Sequence, residues 1–507
     1  MFDTKSQNRR DFLRNSGLMA LSSSALPFAL NLVAVGEAAA FNTNNPPGDY
    51  KALVCVLLDG GNDYGNTLIP YDLPNYKAYN NIRSGRTGDA LDRSGVALAF
   101  DELSGTVLAP DLADVLKDSR VFALNPAMTE LKDLFQAGSM AIQLNVGPLV
   151  EPITRAQFDD NKRTQKLPPN LMDHDTQKIQ WHSPSSKVEK YGWGGHVSDL
   201  MKDKMVNAAD NAAFTCVSVH NNTVLLAGEK ALQYQLDQYK GAINIGPANS
   251  PYELTDVGTA LAELIQNTAG THTLENEYNA MTKRAIKAEL AVKEALKDNG
   301  FSTTVTVTFP DTELGRQLKM VARLIHGRGK LGATAPTRQI FFVQIGGFDM
   351  HDGLMDQHPK RLGDLSKSLH AFYKATEQMS LKDNVTSFTA SDFGRTLALN
   401  GGGSDHGWGS HHFVVGGNVN GKKFYGVPPP VSAGNTKVAG AYAKQDQWHI
   451  GAGRLLPTTS VDQYAGTLAK WFGVDDTEID TIFPNLKNFV GLKNEIPYSK
   501  DMGFMKA

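Results

Sequence analysis

The stretch KALVCVLLDGGND, residues 51–63, decides how this chain is read. From Lys51 to Leu58 it is almost continuously apolar, as a strand buried on both faces of a parallel sheet must be. Asp59 ends the run, and Gly60-Gly61 let the backbone turn tightly and leave a carboxylate at the sheet edge. Similar apolar runs at Met140–Val146, Phe214–Val219, Gln339–Ile345, Val385–Ala390 and Phe413–Val415 predict further strands. Amphipathic helices fall between them. One apolar face is Leu314, Leu318, Val321 and Ile325, and a second is Leu362, Leu365, Leu369 and Phe372. A third is Val461, Tyr464, Leu468 and Phe472, with Ser460 as its N-cap. Strands alternating with helices predict an α/β fold, a mostly parallel sheet covered on both faces. Residues 253–299, rich in Ala, Glu, Lys and Leu, break the alternation and predict a helical insertion, extending to about residue 330 in the domain layout. Residues 401–410 and 427–440 read as loops.

The chemistry lies in the segments that follow the strands. LMDHD (171–175), GGFDMHD (346–352), TASDFGRT (389–396) and SDHGWGSHH (404–412) carry Asp and His where strands or loops should end. An open α/β sheet gathers such residues along the carboxyl edge of its strands, where ligands bind. Asp and neutral His are ligands for divalent metals. Asp349 and His351 are two apart, so in extended backbone both point the same way. Asp59, Asp349, His351, Asp392 and His406 are therefore candidate ligands for one or two divalent ions, with Zn²⁺, Mn²⁺ and Mg²⁺ all open. Each has a plainer reading. Asp59 could satisfy turn amides, Asp349 and His351 could form a loop ion pair, and Asp392 could cap a helix opened by Gly394-Arg395. His411 and His412 could be solvated or core residues. His174 could bind substrate or metal, or pack beside Trp181, and Arg395 could hold an anionic oxygen or merely pair with Asp392. Trp193, Trp408 and Trp448 read as packing residues.

The N-terminus reads as an address. Asn8-Arg9-Arg10-Asp11-Phe12-Leu13-Arg14 is a twin-arginine pattern, followed by a weakly apolar stretch and by Ala38-Ala39-Ala40 at a cleavage site. Residues 1–40 are thus expected to be a signal peptide read by the twin-arginine translocation machinery, leaving a single periplasmic domain over 41–507. The 507 residues carry a net charge of -3, without a basic cluster after the signal, so nucleic acid is not an expected partner. No later apolar run is long enough to span a membrane. The two cysteines, Cys55 and Cys216, lie in strand-like runs and read as buried thiols rather than a disulfide.

A family resemblance runs over most of the chain. VLLDGGNDYGNTLIPY, PPNLMDHDTQKIQW, GWGGH, IGGFDMH, SDFGRT, DHGWGSHHFVVGG and LPTTSVDQYAGTLAKWFG, in that order, resemble the domain-of-unknown-function 1501 family. The resemblance implies grouping with the alkaline phosphatase and sulfatase superfamily. It also implies an alkaline-phosphatase-like three-layer α/β/α fold with one or two metals and action on phosphate or sulfate esters. It suggests Asp59, Asp349, His351, Asp392 and His406 as ligands. Two departures stand out. Phe393 follows Asp392 where superfamily enzymes often carry His, which implies a weak or empty second metal site. Asp173-His174 stands where relatives usually carry Ser-His, which leaves the nucleophile open, with a carboxylate nucleophile or an extra ligand as the two roles open to Asp173.

The expectation is an exported, metal-dependent hydrolase or transferase of anionic esters, with Asp173, His174 and Arg395 handling the substrate. The alternative is a non-catalytic periplasmic binding or assembly protein that reuses the fold. A redox enzyme is the weaker third reading, since the chain has neither a dinucleotide fingerprint after its first strand nor a cysteine set for an iron–sulfur cluster.

Overall fold

The computed structural model describes residues 49–116, 118–160, 166–184, 188–208, 211–242, 273–438 and 441–506. The twin-arginine segment and Ala38-Ala39-Ala40 lie outside these residues.

Among the described residues, ten strands form one mixed sheet. In chain order they are β1 (Lys51–Leu58), β2 (Met140–Gly147), β3 (Cys216–Ser218), β4 (Tyr234–Asp237), β5 (Gly241–Ala242), β6 (Arg338–Ile345), β7 (Val385–Ser391), β8 (Ser410–Val415), β9 (Phe424–Tyr425) and β10 (Thr459–Ser460). Across the sheet the order is β9, β2, β8, β7, β1, β6, β3, β4, β5, with β10 also pairing β2. The centre, β7 through β4, is parallel. β8 runs antiparallel between β7 and β2. Its start therefore lies at the edge where β1, β6 and β7 end.

The helices used below are α1 (Leu73–Ser84), α2 (Thr129–Gln136), α3 (His174–His182), α4 (Trp193–Asp203), α5 (Thr273–Ala295), α6 (Glu313–His326), α7 (Leu354–Gln378) and α8 (Val461–Phe472). β1 shows why helices cover both faces. Ala52, Val54, Val56 and Leu58 join a core with Leu131 of α2, Leu318 and Val321 of α6, and Leu365 and Leu369 of α7. Leu53, Cys55 and Leu57 join the opposite core with Val197 of α4 and Tyr464, Leu468 and Phe472 of α8. Side chains alternate along a strand, so an unbroken apolar run must feed two cores. Ser460 caps α8 as expected: its hydroxyl accepts from the Gln463 amide at 3.0 Å, and Gln463 reaches back to the Ser460 amide.

The helical layer of the sheet begins before the expected end of the insertion at residue 330. Residues 243–272 lie outside the described residues, and α5 follows them. α6, however, packs on α7 and β6 with nine buried residues, so it belongs to the helical layer of the sheet. The expected boundary near residue 330 overshoots because the Leu314 to Ile325 stripe covers the sheet itself.

Both cysteines are buried and free. β6 separates β1 from β3, with Cys55 opposite Phe342 and Cys216 opposite Ile340. Two inter-strand spacings, roughly 10 Å, exceed the reach of a disulfide.

Several buried imidazoles are held neutral: His358 is held down to about 4, and His182, His411 and His412 to about 3, all by burial. The Nδ1 lone pair of His411 accepts from the Asn145 amide at 3.0 Å. Their folded pKa values lie below the ordinary value of about 6.5. Stability from this source is thus full above pH 6.5 and is lost as pH falls toward 4, at about 1.4 kcal/mol per pH unit for each group. The thermal midpoint is expected to fall steeply across that window, and His358→Gln to flatten the slope. A midpoint that does not move between pH 6.5 and 4 would contradict neutral burial.

Candidate metal centre

The carboxyl edge of the sheet assembles the site. β1, β6 and β7 end side by side, Leu58 opposite both Ile345 and Ser391. The Phe348 amide donates to the Asp59 carbonyl at 3.1 Å, tying the two turns together. Gly60 has φ +113, and a Cβ there would collide with the backbone nitrogen of Asp349. The glycine is needed both for its conformation and for this close approach. The loop entering β8 brings Asp405 and His406 to the same edge, and α3 lays His174 across it.

His174, Asp349 and His406 each bring one ligand atom into a group within 4.8 Å, and His351 lies against Asp349 and His406. The Asp349 carboxylate faces three imidazoles: its Oδ1 lies 3.1 Å from Nε2 of His351 and 3.4 Å from Nε2 of His406, and its Oδ2 lies 3.5 Å from Nε2 of His174. The Nε2 atoms of His351 and His406 are 3.1 Å apart. In a tetrahedral zinc site with bonds of about 2.0–2.1 Å, ligand atoms are separated by about 3.3–3.4 Å. The edges among Asp349, His351 and His406, 3.1–3.4 Å, are near that figure, while His174 joins Asp349 and His406 within 4.8 Å.

Each imidazole is set from behind. Nδ1 of His174 donates to Oδ2 of Asp392 at 2.7 Å, and Nδ1 of His406 donates to the Met172 carbonyl at 2.9 Å. Nδ1 of His351 faces Oδ1 of Asp405 at 3.3 Å. With Nδ1 occupied, each Nε2 presents a lone pair, the arrangement of metal-ligating histidines. Nε2 of His174 has no hydrogen-bond partner among the described residues. Met172 holds a left-handed backbone, φ +69, to aim its carbonyl. Such conformations concentrate at functional sites. Phe393 walls the group, its ring 4.6 Å from that of His174 and 4.7 Å from that of His406.

The electrostatics suit cation binding. Burial alone would raise Asp349, but the Arg395 guanidinium and the nearby imidazoles outweigh it and hold the carboxyl below its ordinary value. Burial lowers His406 and favours its neutral form. The hydrogen bond to Asp392 raises His174, while burial raises Asp392 against the pull of His174 and Lys178. The short Nδ1–Oδ2 contact, 2.7 Å, orders the His174 ring with Nε2 toward Asp349.

Arg395 is fully buried. Its Nη1 donates to Oδ1 of Asp349 at 2.9 Å and to the Gly60 carbonyl at 3.0 Å, and its Nε donates to the Ser404 carbonyl at 3.0 Å. Its Nη2 also reaches that carbonyl. It pairs with Asp349, not Asp392, and it fixes the carboxylate rather than opening a fork to a ligand.

The remaining expected residues are placed as follows. Asp392 opens no helix; it stands one bond behind the centre, holding His174. Asp59 stays out of the cluster, its Oδ1 paired with the Lys178 ammonium and its Oδ2 accepting from Gln344 at 2.9 Å. Asp173 caps α3, its Oδ1 accepting from the Thr176 amide at 2.9 Å, and is exposed. His411 and His412 sit inside β8 and are buried. The sequence reading missed Lys178, Asp405 and the Met172 carbonyl. Lys178 had a legible signal, since it lies four residues after His174 and so on the same helical face.

The family described as protein of unknown function (DUF1501) matches residues 50–482, and the chain belongs to it. No match to a curated protein was found. Among solved structures, one similar chain is that in the crystal structure of Ps i-CgsB in complex with k-i-k-neocarrahexaose. It is 11% identical, with 87% of this chain and 76% of that chain covered and a TM-score of 0.28. At that score the likeness carries no argument.

Asp349→Ala or His406→Ala is expected to abolish zinc retention, measured by titration calorimetry on the purified protein. Asp392→Asn, which weakens the group behind His174, should cost about 10–100-fold in affinity. Unchanged zinc binding in all three would remove the centre.

Proposed function

We propose that this chain is an exported metal-dependent hydrolase or transferase acting on phosphate or sulfate esters, with an alkaline-phosphatase-like arrangement of the fold. The observation that carries the reading is the convergence of three imidazole Nε2 atoms on Asp349, each imidazole fixed by an acceptor at Nδ1. Three nitrogens and one carboxylate suit Zn²⁺ better than Mg²⁺, which prefers oxygen and water. A zinc ion held there would supply Lewis-acid polarisation of an ester oxygen and would make water a stronger acid at neutral pH.

The chain's own groups do the rest. Asp392 keeps the His174 proton on Nδ1. Arg395 holds Asp349 in place and ionised. Phe393 shields one side of the imidazoles from water. Asp173 is engaged as a helix cap, so water rather than this carboxylate is the proposed nucleophile. Lys178, on the same helical face as His174, is paired with Asp59 and balances that carboxylate beside the site.

The twin-arginine signal and export remain part of the proposal, supported by Arg9-Arg10 and Ala38-Ala39-Ala40. No helix among the described residues is long and apolar enough to cross a membrane. One observation favours the second reading, a non-catalytic binding or assembly protein: Arg395 and Asp173 are both committed to structure, and neither presents a free group to a substrate.

The purified chain, loaded with Zn²⁺, is expected to hydrolyse a generic aryl phosphate or aryl sulfate. Activity should disappear with chelator, return with Zn²⁺ and be absent in Asp349→Ala. Stoichiometric zinc without turnover would favour the binding protein, and absence of zinc would sink both readings of the centre.

A further inference from the structure

Beside the candidate metal centre lies a second acidic place. β1 and β7 are adjacent and parallel, with Leu58 opposite Ser391, so the next residues, Asp59 and Asp392, leave the sheet together. The Gly60 amide donates to Oδ2 of Asp392 at 3.2 Å, which seats that carboxylate against the turn carrying Asp59. Asp392 is 1% exposed, and its Oδ1 is buried with no hydrogen-bond partner among the described residues. Two carboxylates so placed are the donor type that hard divalent cations take. Buried carboxylates need an opposing charge.

That charge comes from α3. His174 and Lys178 are one helical turn apart and reach down from the same face. The imidazole meets Asp392 at 2.7 Å, and the ammonium meets Oδ1 of Asp59. One turn of helix thus supplies a proton donor to one carboxylate and a fixed positive charge to the other. The orphaned Oδ1 of Asp392 shows that this single ammonium does not satisfy every acceptor there. An ammonium is a compact, strongly hydrated point charge, which can stand where a metal ion would otherwise sit.

We propose that Lys178, paired with Asp59 beside Asp392, acts as a built-in cation and keeps the centre to one metal ion. Removing its charge, with both carboxylates retained, turns that pair into a second divalent-cation site. The inference rests on the reading of His174, Asp349, His351 and His406 as the first site.

Elemental analysis and Mn²⁺ titration of the full chain test it. Native protein is expected to hold one equivalent, and Lys178→Met two. Lys178→Arg, which keeps the charge, should hold one. The double variant Lys178→Met with Asp59→Asn should return to one. Loaded with Mn²⁺, Lys178→Met should give the electron-paramagnetic-resonance signal of two coupled ions, and native protein that of an isolated ion. If Lys178→Met does not fold, Lys178→Gln, with a polar head of similar reach, gives the same comparison. One equivalent in a folded charge-removed variant, or two in the native protein, overturns the role of Lys178 and leaves the first site standing. No metal in any of them overturns the first site, and this inference with it.

Discussion

Asp349 must be ionised at the place where three imidazoles meet, and the structure is built to keep it so. Its partner Arg395 is buried, and the Ser404 carbonyl holds the Nε side of that guanidinium. The Ser404 hydroxyl donates to Oδ2 of Asp63 at 2.6 Å, and Asp63 in turn forms a buried pair with Arg83 of α1 at 3.0 Å. Burial works against ionisation of Asp63, but Arg83 and the surrounding donors overcome it and hold the carboxyl low. A ladder of alternating charge therefore runs from α1 to the rim of the sheet. Removing one member of a buried pair leaves an uncompensated charge and costs about 3–5 kcal/mol. The ladder is rigid for that reason, and the rigidity reaches Asp349.

The direction of one strand matters as much. β8 is antiparallel to β7 and β2, so its entry loop, rather than its exit, reaches the carboxyl edge. Asp405 and His406 reach the centre only because of that reversal. Without it, the imidazoles of His174 and His351 would have Asp349 alone, too few donors for a four-coordinate ion.

α3 is the other element on which the chemistry turns. Its buried face is polar, made of Gln177, Gln180, Trp181 and His182. Its place is fixed partly through the His174 bond to Asp392 and the Lys178 pair with Asp59. The same turn of helix thus docks α3 and brings His174 to the site.

The residues themselves determined a good deal. The unbroken apolar run before Asp59 requires a strand covered on both faces, and the glycines after it require a tight turn at the edge. The Asp-x-His spacing put Asp349 and His351 together. The Leu314 to Ile325 and Val461 to Phe472 stripes each form a helix on the sheet. What the tertiary structure alone decided is which acidic residue faces which partner. Asp59, Asp349 and Asp392 look alike locally, each following a buried strand. They differ because Lys178 reaches Asp59, three imidazoles reach Asp349, and His174, 218 residues away in sequence, reaches Asp392. Local patterning fixes where a carboxylate leaves the sheet. Its charge partner arrives through packing of distant elements, which no short stretch of sequence encodes.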